Sequence, residues 1–128
     1  MEEGDPRVKQ RIMQKSRELA QRNLPAMVKK ADVIITNPTH LAIALQYDIN
    51  IHSQPVVVAK GADHLAFVIR QIATEAEVPI MENKPLAQAL YRDVDLGEPI
   101  PESLFNAVVA VYQRLEKFRR RDFAGVRA

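Results

Sequence analysis

Asp32-Val33-Ile34-Ile35-Thr36-Asn37-Pro38-Thr39-His40-Leu41-Ala42-Ile43-Ala44-Leu45-Gln46-Tyr47 holds two short strand-forming runs, 32–36 and 42–47, around a polar tetrapeptide. The first run is apolar almost without a break, which predicts burial on both faces, as in a sheet covered by helices. Working outward, Pro55-Val56-Val57-Val58-Ala59-Lys60 predicts a third strand and Pro79-Ile80-Met81-Glu82 a fourth. Between them Gly61-Ala62-Asp63 opens a helix. Leu65, Val68, Ile69, Ile72 and Ala76 follow at helical spacing until Val78-Pro79 stops it. A small helix starts at Pro85, with Leu86, Ala89 and Leu90 on one side. After Gly97, Pro99 and Pro101, a last helix carries Leu104, Val108, Val111 and Leu115. The helix between strands three and four is a crossover, so those strands are expected to run parallel with a right-handed connection. Strands one and two are joined too tightly for one. The fold class that follows is α/β, a small mixed four-stranded sheet with helices packed around it.

Upstream, Asp5-Pro6 starts a helix over 7–22 whose apolar positions, Val8, Ile12 and Leu19, form a stripe too narrow to grip a core. Asn23-Leu24-Pro25 is expected to end it. The organisation predicted is a basic linker helix (1–30), an α/β domain (31–117) and a basic flexible tail (118–128). Lys and Arg outnumber Asp and Glu eight to four in 1–30 and six to two in 114–128, while 31–113 holds four against ten. An acidic body between basic ends leaves open nucleic acid, anionic lipid or a solvated helix surface for those ends. The basic residues are not interleaved with aromatics and the body would repel phosphate, so nucleic acid is not an expected partner.

At 128 residues the chain is one domain's worth, and 47% hydrophobic with 27% charged residues argues against wholesale disorder. Absence of cysteine excludes disulfides, thiolate metal sites and a cysteine nucleophile. The longest apolar run, 107–112, is far short of the roughly 20 residues of a membrane span, and Met1-Glu2-Glu3-Gly4-Asp5 lacks the pattern of a signal peptide. His40, His52 and His64 have no metal-ligand spacing, the serines sit in no nucleophile elbow, and four scattered glycines make no phosphate cradle. No cofactor or metal is expected.

The chemically unusual spot is Thr36-Asn37-Pro38-Thr39-His40. Ordinary deamidation needs the backbone N–H of the following residue, and proline has none. The remaining route has the Asn37 carboxamide nitrogen attack the carbonyl carbon of its own residue, closing a succinimide and expelling the Pro38 nitrogen as a secondary amine. An amide nitrogen is a poor nucleophile, so the fold must supply position, a gain of up to ~7–11 kcal/mol in intramolecular reactions. Thr39 and His40 are placed to hold the turn, and His40 to pass a proton to the departing amine. An Asx-type turn that merely ends a strand accounts for the same residues.

Asn37-Pro38-Thr39-His40, with Lys30–Thr36 before it and Leu41–Leu45 after it, resembles the autocleavage motif of the FlhB/YscU family, the substrate-specificity switch proteins of flagellar and type III secretion export. The resemblance takes in Glu3-Gly4-Asp5-Pro6, Val57–Asp63, Val78-Pro79-Ile80, Pro85-Leu86-Ala87, Ala89-Leu90-Tyr91 and Ile100-Pro101, with a texture closer to the flagellar branch. Leu41, Lys84 and Gln88 depart from that branch's usual residues without touching the bond in question. The resemblance implies the cytoplasmic domain of an integral membrane protein, at the cytoplasmic face of the bacterial inner membrane. It implies one self-inflicted cut per molecule, at Asn37-Pro38, without turnover on external substrates, after which the fragments stay together. The cut would let the export machine change substrates. Implied partners are the exported substrates, the export-gate membrane protein and a ruler protein that measures hook or needle length. A substrate groove is implied near Pro55 and the last helix, its apolar face Val109 and Tyr112. The alternative of another class is a soluble binding module that uses its basic ends on nucleic acid or anionic membrane without cleavage.

Overall fold

The computed structural model describes residues 23–50 and 53–116. Its elements are α1 (Leu24–Lys30), β1 (Val33–Asn37), β2 (Leu41–Gln46), β3 (Val56–Ala62), α2 (His64–Glu75), β4 (Ile80–Glu82), α3 (Lys84–Asp93) and α4 (Glu102–Gln113). The helix expected over 7–22 and the tail at 118–128 lie outside the described residues.

The four strands form one mixed sheet in the order β3-β2-β1-β4. β1 pairs antiparallel with β2 and parallel with β4, and β2 pairs antiparallel with β3. β3 and β4 therefore point the same way, as the crossover reading requires, but stand at opposite edges of the sheet. β1 lies inside, and Val33, Ile34 and Ile35 are fully buried.

Alternation along β1 and β2 splits the core between two faces. Val33, Ile35, Ile43, Leu45 and Val57 meet Leu86, Leu90, Val108, Val111 and Tyr112 from α3 and α4. Ile34, Ala42, Ala44 and Ala59 meet Leu24 and Val28 of α1 and Ala66, Ile69 and Ala73 of α2. Val57 and Ala59 fall on different faces because the β2–β3 register slips by one residue there, Ala44 facing Ala59 while Leu45 faces Val57. The second face is lined largely by alanines, and the buried stripe of α2 is Ala66, Ile69 and Ala73. Of the expected stripe Ile69 is buried, while Leu65, Val68, Ile72 and Ala76 flank it half-buried.

Two boundaries differ from the sequence reading. Asn23-Leu24-Pro25 is a helix start, with Pro25 in the first turn of α1; proline suits that position because its missing N–H would go unpaired there anyway. Leu24 and Val28 pack into the core, so 24–30 sits on the body instead of ending a linker. β3 runs on through Gly61 and Ala62, which pair with Ala42 and Leu41, and the helix begins only at His64. Gly61 is required there: a Cβ would lie 2.6 Å from Leu65 Cγ.

Candidate functional site

The tetrapeptide 37–40 is the corner between β1 and β2. Asn37 closes the ladder opposite Leu41, and Pro38, Thr39 and His40 form the loop. The His40 N–H donates to the Asn37 carbonyl at 2.7 Å. With Pro38 in second place and no positive φ at Thr39, this is a type I turn, the geometry that proline's fixed φ favours. Three-residue hairpin loops usually end on a residue in the left-handed region. None of 38–40 has positive φ. The chain leads instead directly into the β2–β3 ladder, the His40 carbonyl accepting from the Asp63 N–H at 2.9 Å. Asp63 itself has a positive φ, 54 with ψ −113, backbone that favours glycine.

Both flanks of the turn are therefore fixed. On the β1 side Thr36 is buried, faces Ala42 and Glu82, and its carbonyl accepts from the Asn83 N–H at 2.9 Å. Asn83 is the N-cap of α3, its Oδ1 accepting from the Leu86 N–H. On the β2 side the anchor is Asp63, just ahead of α2. A third tie comes from within α2, where Arg70 Nη1 donates to the Pro38 carbonyl at 2.8 Å. The Arg70 guanidinium lies 5.8 Å from the Phe67 ring centroid, and Phe67 stacks on His64 at 6.3 Å.

Asn37 and Pro38 are half-buried, while Thr39 and His40 are exposed. The Asn37 carboxamide makes no hydrogen bond to another described residue, so the Asx-type turn is not formed. The His40 imidazole faces solvent with Nδ1 3.7 Å from Asp63 Oδ1, beyond hydrogen-bonding distance. Asp63 stands at the N-cap of α2, but its side chain makes no capping bond. Chemically, the corner presents a carbonyl polarised by one backbone donor, next to a residue of fixed φ and an unengaged carboxamide.

The residues expected to line a groove lie elsewhere. Pro55 is buried, its carbonyl accepting from the Ile100 N–H at 3.3 Å, and Val109 is half-buried. Tyr112 is only 2% exposed and belongs to the core. Its hydroxyl donates to Asp32 Oδ2 at 2.9 Å, and its ring meets Tyr47 edge-on. Burial first, then the neighbouring Asp32 charge, pushes its phenol well above the ordinary tyrosine range. It offers no face to a passing peptide. Among the described residues no group of His, Cys, Asp or Glu could hold a metal ion, and no helix is long and apolar enough to cross a membrane.

The sequence reading missed Arg70, Asn83 and the Asp32–Tyr112 bond. A signal existed for Arg70: residues 31–113 contain only four cationic side chains, so each is a candidate for a specific contact. Lys60 is another, its Nζ donating to the carbonyls of Tyr91 and Val94 at the end of α3.

A model of the FlhB HrpN YscU SpaS family matches residues 1–115. The flagellar biosynthetic protein FlhB of Bacillus subtilis is 48% identical over 121 residues, covering 94% of this chain and 34% of that protein. FlhB of Salmonella typhimurium is 50% identical over 123 residues, covering 96% and 32%. The chain thus spans about a third of the length of the curated relatives it matches. Among solved structures, the cytoplasmic domain of FlhB from Shewanella putrefaciens superposes with a TM-score of 0.73 at 42% identity, over 78% of this chain and 77% of that one. A mutated EscU C-terminal domain gives 0.70 at 34% identity, over 72% and 92%.

Proposed function

The chain belongs to the FlhB HrpN YscU SpaS family, on its flagellar side, and from that premise we propose that it cuts its own backbone once, between Asn37 and Pro38, and that the cut alters which substrates a flagellar export apparatus accepts. The observation that carries this reading is the 2.7 Å bond from the His40 N–H to the Asn37 carbonyl, within a turn anchored on both flanks. In the reaction the Asn37 Nδ2 lone pair adds to the Asn37 carbonyl carbon. The carbonyl oxygen takes up negative charge at the place where the His40 N–H already points, so the donor needs no reorganisation and acts more strongly on the oxyanion than on the neutral carbonyl. Collapse re-forms the carbonyl and breaks the bond to the Pro38 nitrogen. The proton lost from Nδ2 ends on that nitrogen, carried by the solvent-facing His40 imidazole or by water. The products are a C-terminal succinimide at residue 37 and a secondary amine at Pro38. Nothing is regenerated, so the event is single and the domain is not an enzyme with turnover.

After such a cut β1 stays with the upstream piece, while β2, β3 and β4 stay with the downstream piece. β1 is paired on both sides and buried on both faces. Removing the upstream piece, which also carries α1, would expose Val28, Val33, Ile34 and Ile35, at about 1.5–3 kcal/mol each. The fragments therefore remain one folded unit. In this reading the domain sits at the cytoplasmic face of the inner membrane, with the export-gate membrane protein, a length-measuring ruler and exported substrates as partners.

Intact mass under denaturing conditions tests the chemistry. The freshly folded chain should give two species of roughly 4 and 10 kDa by residue count, and Asn37→Ala one. A chain that stays whole for days at neutral pH refutes self-cleavage.

A further inference from the structure

Arg70 is the one side chain among the described residues that hydrogen-bonds the corner loop from another element, and it does so at the residue whose nitrogen would leave. We propose that Arg70 is a positioning residue for scission at Asn37-Pro38, an inference that rests on the self-cleavage reading. Proline's ring fixes φ of Pro38, but the rotation that sets the direction of its carbonyl is free. The Arg70 bond removes that freedom, and with the His40–Asn37 bond it leaves the scissile peptide a single orientation over which the carboxamide must close. Proximity of this kind is the largest resource available to an intramolecular reaction.

Arg70 is itself well held. It follows Ile69, fully buried against the sheet, and its guanidinium lies beside Phe67. Arginine suits the task because its planar fork is fixed in direction and stays charged at any ordinary pH.

The test follows cleavage in time after cell-free synthesis of the full chain, reading the two bands on a denaturing gel. Arg70→Ala should cleave about tenfold to a hundredfold more slowly than the parent, the range for losing one charge-assisted positioning bond. Millimolar ethylguanidinium should restore much of the rate, and Arg70→Lys should fall between the two. A purely structural role would not respond to the free guanidinium. Melting of Arg70→Ala in an Asn37→Ala chain should match that of Asn37→Ala alone, which shows that the fold is kept. An Arg70→Ala chain that cleaves at the parental rate, or one that stays slow with ethylguanidinium, overturns the proposal and leaves self-cleavage standing. A parental chain that never cleaves overturns both.

Discussion

Tyr112→Phe, made in an Asn37→Ala chain so that every molecule is one polypeptide, removes a single hydroxyl from the core and with it the bond to Asp32 across 80 residues of sequence. Hydrogen bonds to a carboxylate contribute about 1.5–3 kcal/mol. Asp32 Oδ2 keeps the Tyr47 N–H at 2.6 Å, so the carboxylate is not orphaned and the loss belongs at the lower end, about 1.5–2 kcal/mol. The pH dependence gives this prediction a second dimension. The folded chain keeps the Tyr112 phenol protonated well above the ordinary range, whereas the unfolded chain releases that proton near pH 10. Stability from this group is therefore complete below about pH 10 and drains away above it, by about 1.4 kcal/mol per pH unit, in the tyrosine protein alone. Urea unfolding followed by far-ultraviolet circular dichroism should show the tyrosine and phenylalanine chains separated at pH 7 and nearly equal at pH 11. A gap below about 0.5 kcal/mol at pH 7, inside the range of an ordinary surface change, would refute the buried bond. A gap unchanged from pH 9 to pH 11 would refute the protonated phenol.

Asp63→Gly should raise stability by about 1 kcal/mol, because φ 54 costs a residue with a Cβ and costs glycine nothing. The backbone donor to His40 is retained, and thermal melting reads the gain; an unchanged or lower midpoint would mean Asp63 is not strained. Gly61→Ala should destabilise by about 1–3 kcal/mol, the cost of overpacking, since its Cβ would sit 2.6 Å from Leu65 Cγ. Adding Leu65→Ala should return part of that loss, and strict additivity of the two substitutions would show that the clash is not with Leu65.

What the sequence disclosed follows from which interactions are local. All four strands and the helices after them were legible because the strands are short, nearly unbroken apolar runs and the helices repeat apolar residues near every 3.6, with Pro, Gly or Asn close to their ends. The corner was legible because Asn-Pro-Thr-His is contiguous and its chemistry depends on proline's missing N–H. The rest depends on pairings far apart in the chain. Arg70 reaches Pro38 over 32 residues and Tyr112 reaches Asp32 over 80, and no periodicity encodes either. Tyr112 was misplaced for the same reason: on a helix wheel a tyrosine beside Val108 and Val111 reads equally as core or as surface anchor, and only the position of Asp32 decides. The start of α1 was missed because Asn-Leu-Pro signals a helix end and a helix start alike, and the burial of Leu24 and Val28 that settles it comes from α2 and the sheet.

The anchors also limit what a cut at this corner can change. Thr36 is held by Asn83 and the His40 carbonyl by Asp63, and neither bond involves the scissile peptide. Opening that peptide therefore loosens Asn37 on one side and Pro38 and Thr39 on the other, where the Arg70 bond to the Pro38 carbonyl is the one tie left before His40, itself held through its carbonyl. The sheet, both faces of the core and the seat of α2 stay as they were. Any partner that distinguishes the cut domain from the whole one must read it at this corner, where the surface beyond the loop is the start of α2 with His64, Phe67 and Arg70. Phe67 is 45% exposed there, beside the cation that holds the Pro38 carbonyl. The global fold is then a rigid frame for a local event, and the stability of the whole domain should change little on scission while the motion of residues 37–39 changes greatly.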